Sequence, residues 1–406
     1  TFSGTVDALS LAQTNGSGTT TFQDDVNITG AAGIDVTATN IALDGLTMEA
    51  GTAPTAAIAL TGAVTLSTAV VDIIAEDTIT VTGTVDGGVP FSATSTNDAN
   101  IVFTSLIGGT TPLASLSITG GDITLNGIGT AGTAGVTGAI SVTSAGNVVL
   151  NGTSYRSGNT ITVTATGFVE LNAADYRSDG EQTWEAPGGV RYLATVDGTW
   201  SAGGAGISCP NTDVYLDHNG RTLTLGSNLS CLNLYFYRGN LDCNNRTITT
   251  TTNLVIFGGD YNPDDADWDG ADTRHAYFGA AALAYYPGDG TYDNATGAFS
   301  TAPNAAFTNL AGTTLTVDGN FYVNGTDMNA GAFTLVIPDN DASTPVLNTG
   351  NTVTADQWGT PYAVAFNMLV TGVTTYDGWV AASRANGDET NNGVNILSTT
   401  AGGTGG

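Results

Sequence analysis

The chain contains no lysine. All eight of its basic residues are arginines, and the first of them is Arg156. Charged residues make up only 11% of the 406 positions, where an ordinary soluble domain carries about 25%. Against 37 acids the arginines leave a net charge of −29. Contact with a phosphate backbone needs Lys or Arg to displace counterions, so nucleic acid is excluded as a partner. The same surface repels anionic membranes unless divalent cations bridge the two. Ca²⁺ is the natural small partner of an acidic chain rich in Gly and Asp. Cysteine is scarce too: Cys209, Cys231 and Cys243 are too few for a disulfide scaffold. Long apolar runs are missing. The longest charge-free one, 56–71, is broken by Thr61, Gly62, Thr65, Ser67 and Thr68 and alternates as strands do, so no transmembrane segment is expected.

Thr, Gly, Ala, Ser and Asn take the place of the missing charge, a mixture that favours strands, turns and tight backbone stacking over helices. Low Lys, strong acidity and a start at Thr1 without Met or signal peptide lead to the expectation of a mature or excised form of an exported, extracellular protein.

Internal repeats organise the chain. Gly4-Thr5-Val6-Asp7 recurs as Gly83-Thr84-Val85-Asp86, and Thr78-Ile79-Thr80-Val81-Thr82 as Thr160-Ile161-Thr162-Val163-Thr164. Asn40-Ile41-Ala42-Leu43-Asp44-Gly45 recurs as Asp122-Ile123-Thr124-Leu125-Asn126-Gly127. These matches make two units of roughly 80 residues each that cover about 2–165, within an expected solenoid of 1–205. A finer spacing of 21–25 links Ile123-Thr124-Leu125-Asn126-Gly127, Val148-Val149-Leu150-Asn151-Gly152 and Val169-Glu170-Leu171-Asn172-Ala173. Leu216-Asp217-His218-Asn219-Gly220-Arg221-Thr222-Leu223-Thr224 matches Leu241-Asp242-Cys243-Asn244-Asn245-Arg246-Thr247-Ile248-Thr249 at a shift of 25. One alternating strand motif per 21–25 residues is what a coil of a β-solenoid supplies, with coils stacked about 4.8 Å apart. The Asn of each Leu-Asn-Gly would then stack on its counterpart as a hydrogen-bonded ladder. The fold expectation is all-β: a parallel β-helix, or solenoid, in at least the first half and a β-rich second half. The alternative is an array of β-sandwich domains. The expected organisation is 1–205 solenoid, 206–260 further coils with cysteines, 261–310 an acidic insertion, and 311–406 a β-rich region ending in a Gly-rich tail.

The segment Val81-Thr82-Gly83-Thr84-Val85-Asp86-Gly87 and the stretch from Leu106-Ile107-Gly108-Gly109 through Ser117-Ile118-Thr119-Gly120 to Leu125-Asn126-Gly127 resemble the repeats of filamentous-haemagglutinin-like giant bacterial surface adhesins. The resemblance covers roughly 80–175 well and 2–80 loosely. It implies a right-handed parallel β-helix, export to the bacterial cell surface, and adhesion or a structural coat without catalytic residues. The function expected is therefore a structural surface protein that assembles with itself into a filament, sheath or coat, or an adhesin module that meets a host or neighbouring cell surface. No terminal cap of strong charge is visible, so end-to-end joining of copies or modules is expected. The alternative is a β-helix that binds or cleaves carbohydrate, as tail spikes do, with glycans as partners.

Several constellations could carry chemistry. Asp265, Asp267 and Asp269 alternate ahead of Gly270, and Asp272 follows. Alternating acids bring carboxylates round one hard cation, so Ca²⁺ is expected there. Ala276 stands where an EF-hand has its Glu, so this is not an EF-hand. Cys209 and Cys231 lie about one coil apart, within disulfide reach of stacked coils, with Cys231–Cys243 as the rival pair. Asp217-His218 invites a catalytic reading, but its repeat mate Asp242-Cys243 marks a structural position, and His275 is far off. Asp175, Asp179, Glu181 and Glu185 cluster near Trp184, a potential sugar-stacking ring or a core residue under a polar loop. Thr222/Thr224 and Thr247/Thr249 form Thr-x-Thr rows that would suit ice, on only two coils.

Overall fold

The structure, a computed structural model, describes residues 1–251 apart from 52, 243 and 245, and beyond them the backbone of short strands between 254 and 398. The protein is all-β, its parallel sheets stacked into a β-solenoid of about 11 turns. No helix occurs among the described residues. Sandwich domains are built from antiparallel hairpins and Greek keys. Among the described residues the strand pairs are parallel, apart from the short pair Tyr292–Asp293 and Ala298–Phe299. Two units separate, Thr1–Val190 with Ser201–Ser208, and Arg191–Trp200 with Cys209–Gly406.

In the first unit one wall is a regular sheet. Its successive rungs include Val26–Ile28, Thr47–Ala50, Val71–Ala75, Pro90–Ser95, Ser115–Gly120, Ile140–Ser144, Ile161–Ala165 and Gln182–Glu185. The opposing wall starts as long strands, Leu11–Phe22, Ile34–Asp44 and Ile58–Ser67, which slip register near Gly16 and between Thr37 and Asn40. From the next coil that wall breaks in two, as Ile79–Val81 followed by Val85–Gly87. Gly62, at φ 140°, lies at the bend, where the coil above approaches closely: a Cβ on Gly83 would sit 1.7 Å from the Gly62 carbonyl oxygen.

Period-2 alternation decides what faces in. Ile34, Ile58, Ile79, Ile101, Ile123, Val148 and Val169 stack in register as one inward column. Val26, Met48, Ile73, Ala93, Ile118, Val142, Val163 and Trp184 form another on the regular wall. All of these are buried. Like stacks on like because β-branched side chains, stiff at χ1, pack identically at each rung.

The two kinds of sequence repeat fare differently. Leu125, Leu150 and Leu171 pair in register, so the 21–25 spacing is the coil. The longer matches do not superpose coil on coil. Val6 lies on the regular wall and Val85 on the other; Ile79 and Ile161 are likewise on opposite walls. Ile41 stacks with Val64 and Val85, a different column from that of Ile123.

In the second unit Val214–Leu225 pairs with Leu234–Asp242 and slips register after Leu216. Leu216 stacks on Phe236 and Leu223 on Leu241, while Ile248 pairs with Leu229 in the other sheet. The nine-residue match at a shift of 25 therefore does not superpose: Leu216 and Leu241 lie on one wall in different columns, and Leu223 and Ile248 lie on different walls. Next in the stack after Leu234–Asp242, Thr247–Thr250 and Leu254–Phe257 come Asn304–Thr308, Thr314–Val317 and Phe321–Asn324. Residues 258–303 thus intervene in sequence between strands that stack directly.

Ile118 sits in mid-column, so Ile118→Ala should cost about 2–5 kcal/mol. The outward Ser117→Ala should stay within about 0.5 kcal/mol. Urea unfolding followed by far-ultraviolet circular dichroism reads both.

Candidate functional site

Several acids of the first unit bind the neighbouring coil. Asp25 Oδ1 accepts the Thr47 N–H at 2.8 Å, and Asp86 Oδ1 those of Thr110 and Thr111 at 2.7 and 3.1 Å. Asp44 Oδ1 takes the hydroxyls of Ser67 and Thr68 at 3.0 and 2.6 Å. At one corner the device becomes a column. Asn100 Oδ1 accepts the Asp122 N–H at 3.3 Å, Asp122 Oδ1 that of Asn147 at 2.7 Å, and Asn147 Oδ1 that of Phe168 at 3.1 Å. Each side chain satisfies a corner N–H that the strand ladders leave unpaired.

The Leu-Asn-Gly turns carry a second device. Asn172 Nδ2 donates to Asn151 Oδ1 at 3.0 Å, one step of the expected ladder, whereas Asn126 Nδ2 donates to the Thr104 carbonyl at 2.7 Å. Tyr155 fills the space behind the first of these turns. Its hydroxyl lies 2.8 Å from the Leu125 carbonyl and accepts the Gly127 N–H at 3.2 Å. One coil on, the Tyr176 hydroxyl likewise reaches the Leu150 carbonyl at 3.2 Å but accepts the N–H of Ala173, from its own coil's turn, at 2.9 Å. The two rings stack at 5.3 Å. Burial pushes the Tyr155 hydroxyl far above its ordinary range, so it stays protonated.

The acidic cluster of 175–185 does not form a sugar site around Trp184. That ring is 0% exposed, packs edge-on against Tyr176 at 5.9 Å and donates Nε1–H to Gln182 Oε1 at 3.3 Å. Asp175 binds Arg156 and Arg177 at 3.4 and 3.2 Å. A Trp on the alternating inward side of Gln182–Glu185 belongs to the core, and the polar neighbours on that strand conceal this in the sequence.

In the second unit Cys209 and Cys231 lie on neighbouring strands of one sheet. Both are buried free thiols rather than the expected bridge. Burial raises the pKa of each, and at Cys231 the Cys209 thiol adds to the rise. A thiol held protonated in an apolar column is inert. Cys243 lies outside the described residues.

His218 is interior, 1% exposed. It stacks on Phe236 at 5.6 Å and meets the Tyr192 ring edge-on at 5.5 Å. Its Nε2–H donates to the Asn240 carbonyl at 3.0 Å, which fixes the tautomer, and Nδ1 is buried without a hydrogen bond. Gly239 closes the pocket, where a Cβ would sit 2.4 Å from the imidazole. Desolvation pulls the pKa down to about 4, against smaller upward pulls from the Asn240 carbonyl and Asp197. This neutral ring, which faces no nucleophile, is a core residue.

Among the described residues no group of three or more His, Cys, Asp or Glu could hold a metal ion. Asp265, Asp267, Asp269, Asp272 and His275 lie outside them. No family model, no curated protein and no solved structure matches the chain. The parallel solenoid is compatible with β-helix proteins in general.

Because His218 has a folded pKa near 4 and an ordinary one of 6.5, the unfolded chain takes up the proton first. Stability is therefore undiminished above pH 6.5 and falls as pH drops from there towards 4, by about 3 kcal/mol in all. His218→Phe should flatten that segment of the stability–pH curve, measured by urea unfolding at each pH.

Proposed function

We propose that the protein is a structural, non-enzymatic component of a bacterial cell surface that assembles with copies of itself or serves as a rigid adhesin module. The observation that supports this most directly is where the acids go. Asp25, Asp44, Asp86 and Asp122 each bind residues 22–25 positions further on, one coil away. These four carboxylates are spent on fastening coil to coil rather than aimed outward at a substrate. The buried Trp184 removes the aromatic platform that a carbohydrate-cleaving reading relied on. The likeness of 80–175 to the filamentous-haemagglutinin-like adhesins supports the surface location.

Calcium belongs to the same reading. A chain of net charge −29 repels its own copies, and divalent cations held at Asp265, Asp267, Asp269 and Asp272 would bridge them. Electron microscopy and sedimentation of the purified protein test this with Ca²⁺ and then with excess chelator. Fibres, tubes or sheets that form with Ca²⁺ and disperse on chelation are the expected outcome. A monomer at every concentration in both conditions would refute self-assembly, and release of sugar from a polysaccharide panel would refute the non-enzymatic role.

A further inference from the structure

Pro90–Ser95, Ser115–Gly120, Ile140–Ser144 and Ile161–Ala165 stack in register without a bulge, unlike the opposing wall. Phe91, Ala93, Leu116, Ile118, Val142 and Val163 turn inward from them and are buried. What turns outward is a two-column lattice of hydroxyls. Ser92, Ser117, Ser141 and Thr162 make one column, which runs on to Thr183 and Ser208. Thr94, Thr119, Thr143 and Thr164 make the other, which ends at Glu185. Asp72 and Ile74 bound the lattice at its other end.

Two observations bear on what this face can bind. It carries no charge, in a chain of net charge −29. Its hydroxyls are also idle: Ser92 donates to Asp72, and the others of the two columns from 94 to 164 make no hydrogen bond within the described residues. Hydroxyls at the corners behave differently. Ser144, Ser157 and Thr137 are all spent on backbone carbonyls.

The lattice repeats about every 4.8 Å across rungs and about every 6.7 Å along a strand. Each hydroxyl offers one donor and two acceptor sites, and the threonines hold theirs in narrow rotamer ranges. A neutral face selects a neutral partner. The two columns hold none of the aromatic planes or planar amides on which sugars are oriented. The four complete rungs span only about 300 Å², against about 800 Å² per partner in a stable protein interface. A rigid solid whose own hydrogen-bonding groups repeat in two dimensions needs no larger patch, since one lattice registers with the other. We propose that this face binds ice, each hydroxyl taking the place of a lattice water.

The full chain is labelled fluorescently and offered to a single growing ice crystal, and ice recrystallisation is followed in parallel. Thr119→Tyr and Thr143→Tyr raise a ring from the centre of the face; Thr119→Val and Thr143→Val remove the hydroxyl and keep the shape. Thr80→Tyr, outward on the opposing wall, is the control. The wild type and the control should coat the crystal and arrest recrystallisation, and the face variants should lose both effects with unchanged circular dichroism. Exclusion of the wild type from ice would overturn the proposal, as would retained adsorption in all four face variants. Concentration-dependent self-association that the Tyr variants abolish, without any adsorption to ice, would overturn it in favour of a second copy of the chain.

Discussion

Register between successive parallel strands is the constraint on which everything else rests. Once Ile79 pairs with Ile101 and Ile101 with Ile123, every neighbour on those rungs is fixed as well, inward and outward alike. The same backbone bonds that hold the coils together thus sort side chains into columns. Inward columns become a core without helices or long apolar runs. Outward columns become lattices. Corners, where the strand ladder is interrupted, collect the Asx residues that accept the stranded N–H groups.

How legible this was depends on what each pattern encodes. The Leu-Asn-Gly spacing could be read because Leu125, Leu150 and Leu171 occupy the same coil position and the chemistry of that turn is demanding. The matches at 79–82 misled because a strand such as Thr160-Ile161-Thr162-Val163-Thr164 states which residues face inward but not which wall it belongs to. The match of 222–224 to 247–249 failed for the same reason. Coil lengths also vary, so identity between distant segments drifts away from the true stacking.

The candidate sites followed the same logic. Asp217-His218 read as a structural position through its repeat mate, and Trp184 as either a sugar-stacking ring or a core residue, because polar neighbours on a strand leave the side chain's direction open. Tertiary context decides it: His218 fits an aromatic slot against Gly239, and Trp184 ends an inward column. The hydroxyl lattice escaped notice for the opposite reason. Its rungs mix Ser with Thr at uneven spacings, so nothing in the sequence marks Ser92, Ser117, Ser141 and Thr162 as neighbours until register places them side by side.

In the first unit the backbone hydrogen bonds between coils run along the stacking direction, while the covalent chain winds across it. Tension applied along the stack therefore loads the coils in series, each joined to the next by a few rungs and by corner side chains such as Asp122 and Asn147. Such a stack yields at its weakest junction and peels one coil at a time, releasing slack and dissipating work with each. Tension across the stack meets many strands in parallel and finds a far stiffer material. The fold is mechanically anisotropic, compliant in one direction and resistant in the other, through the same bonds that set its register.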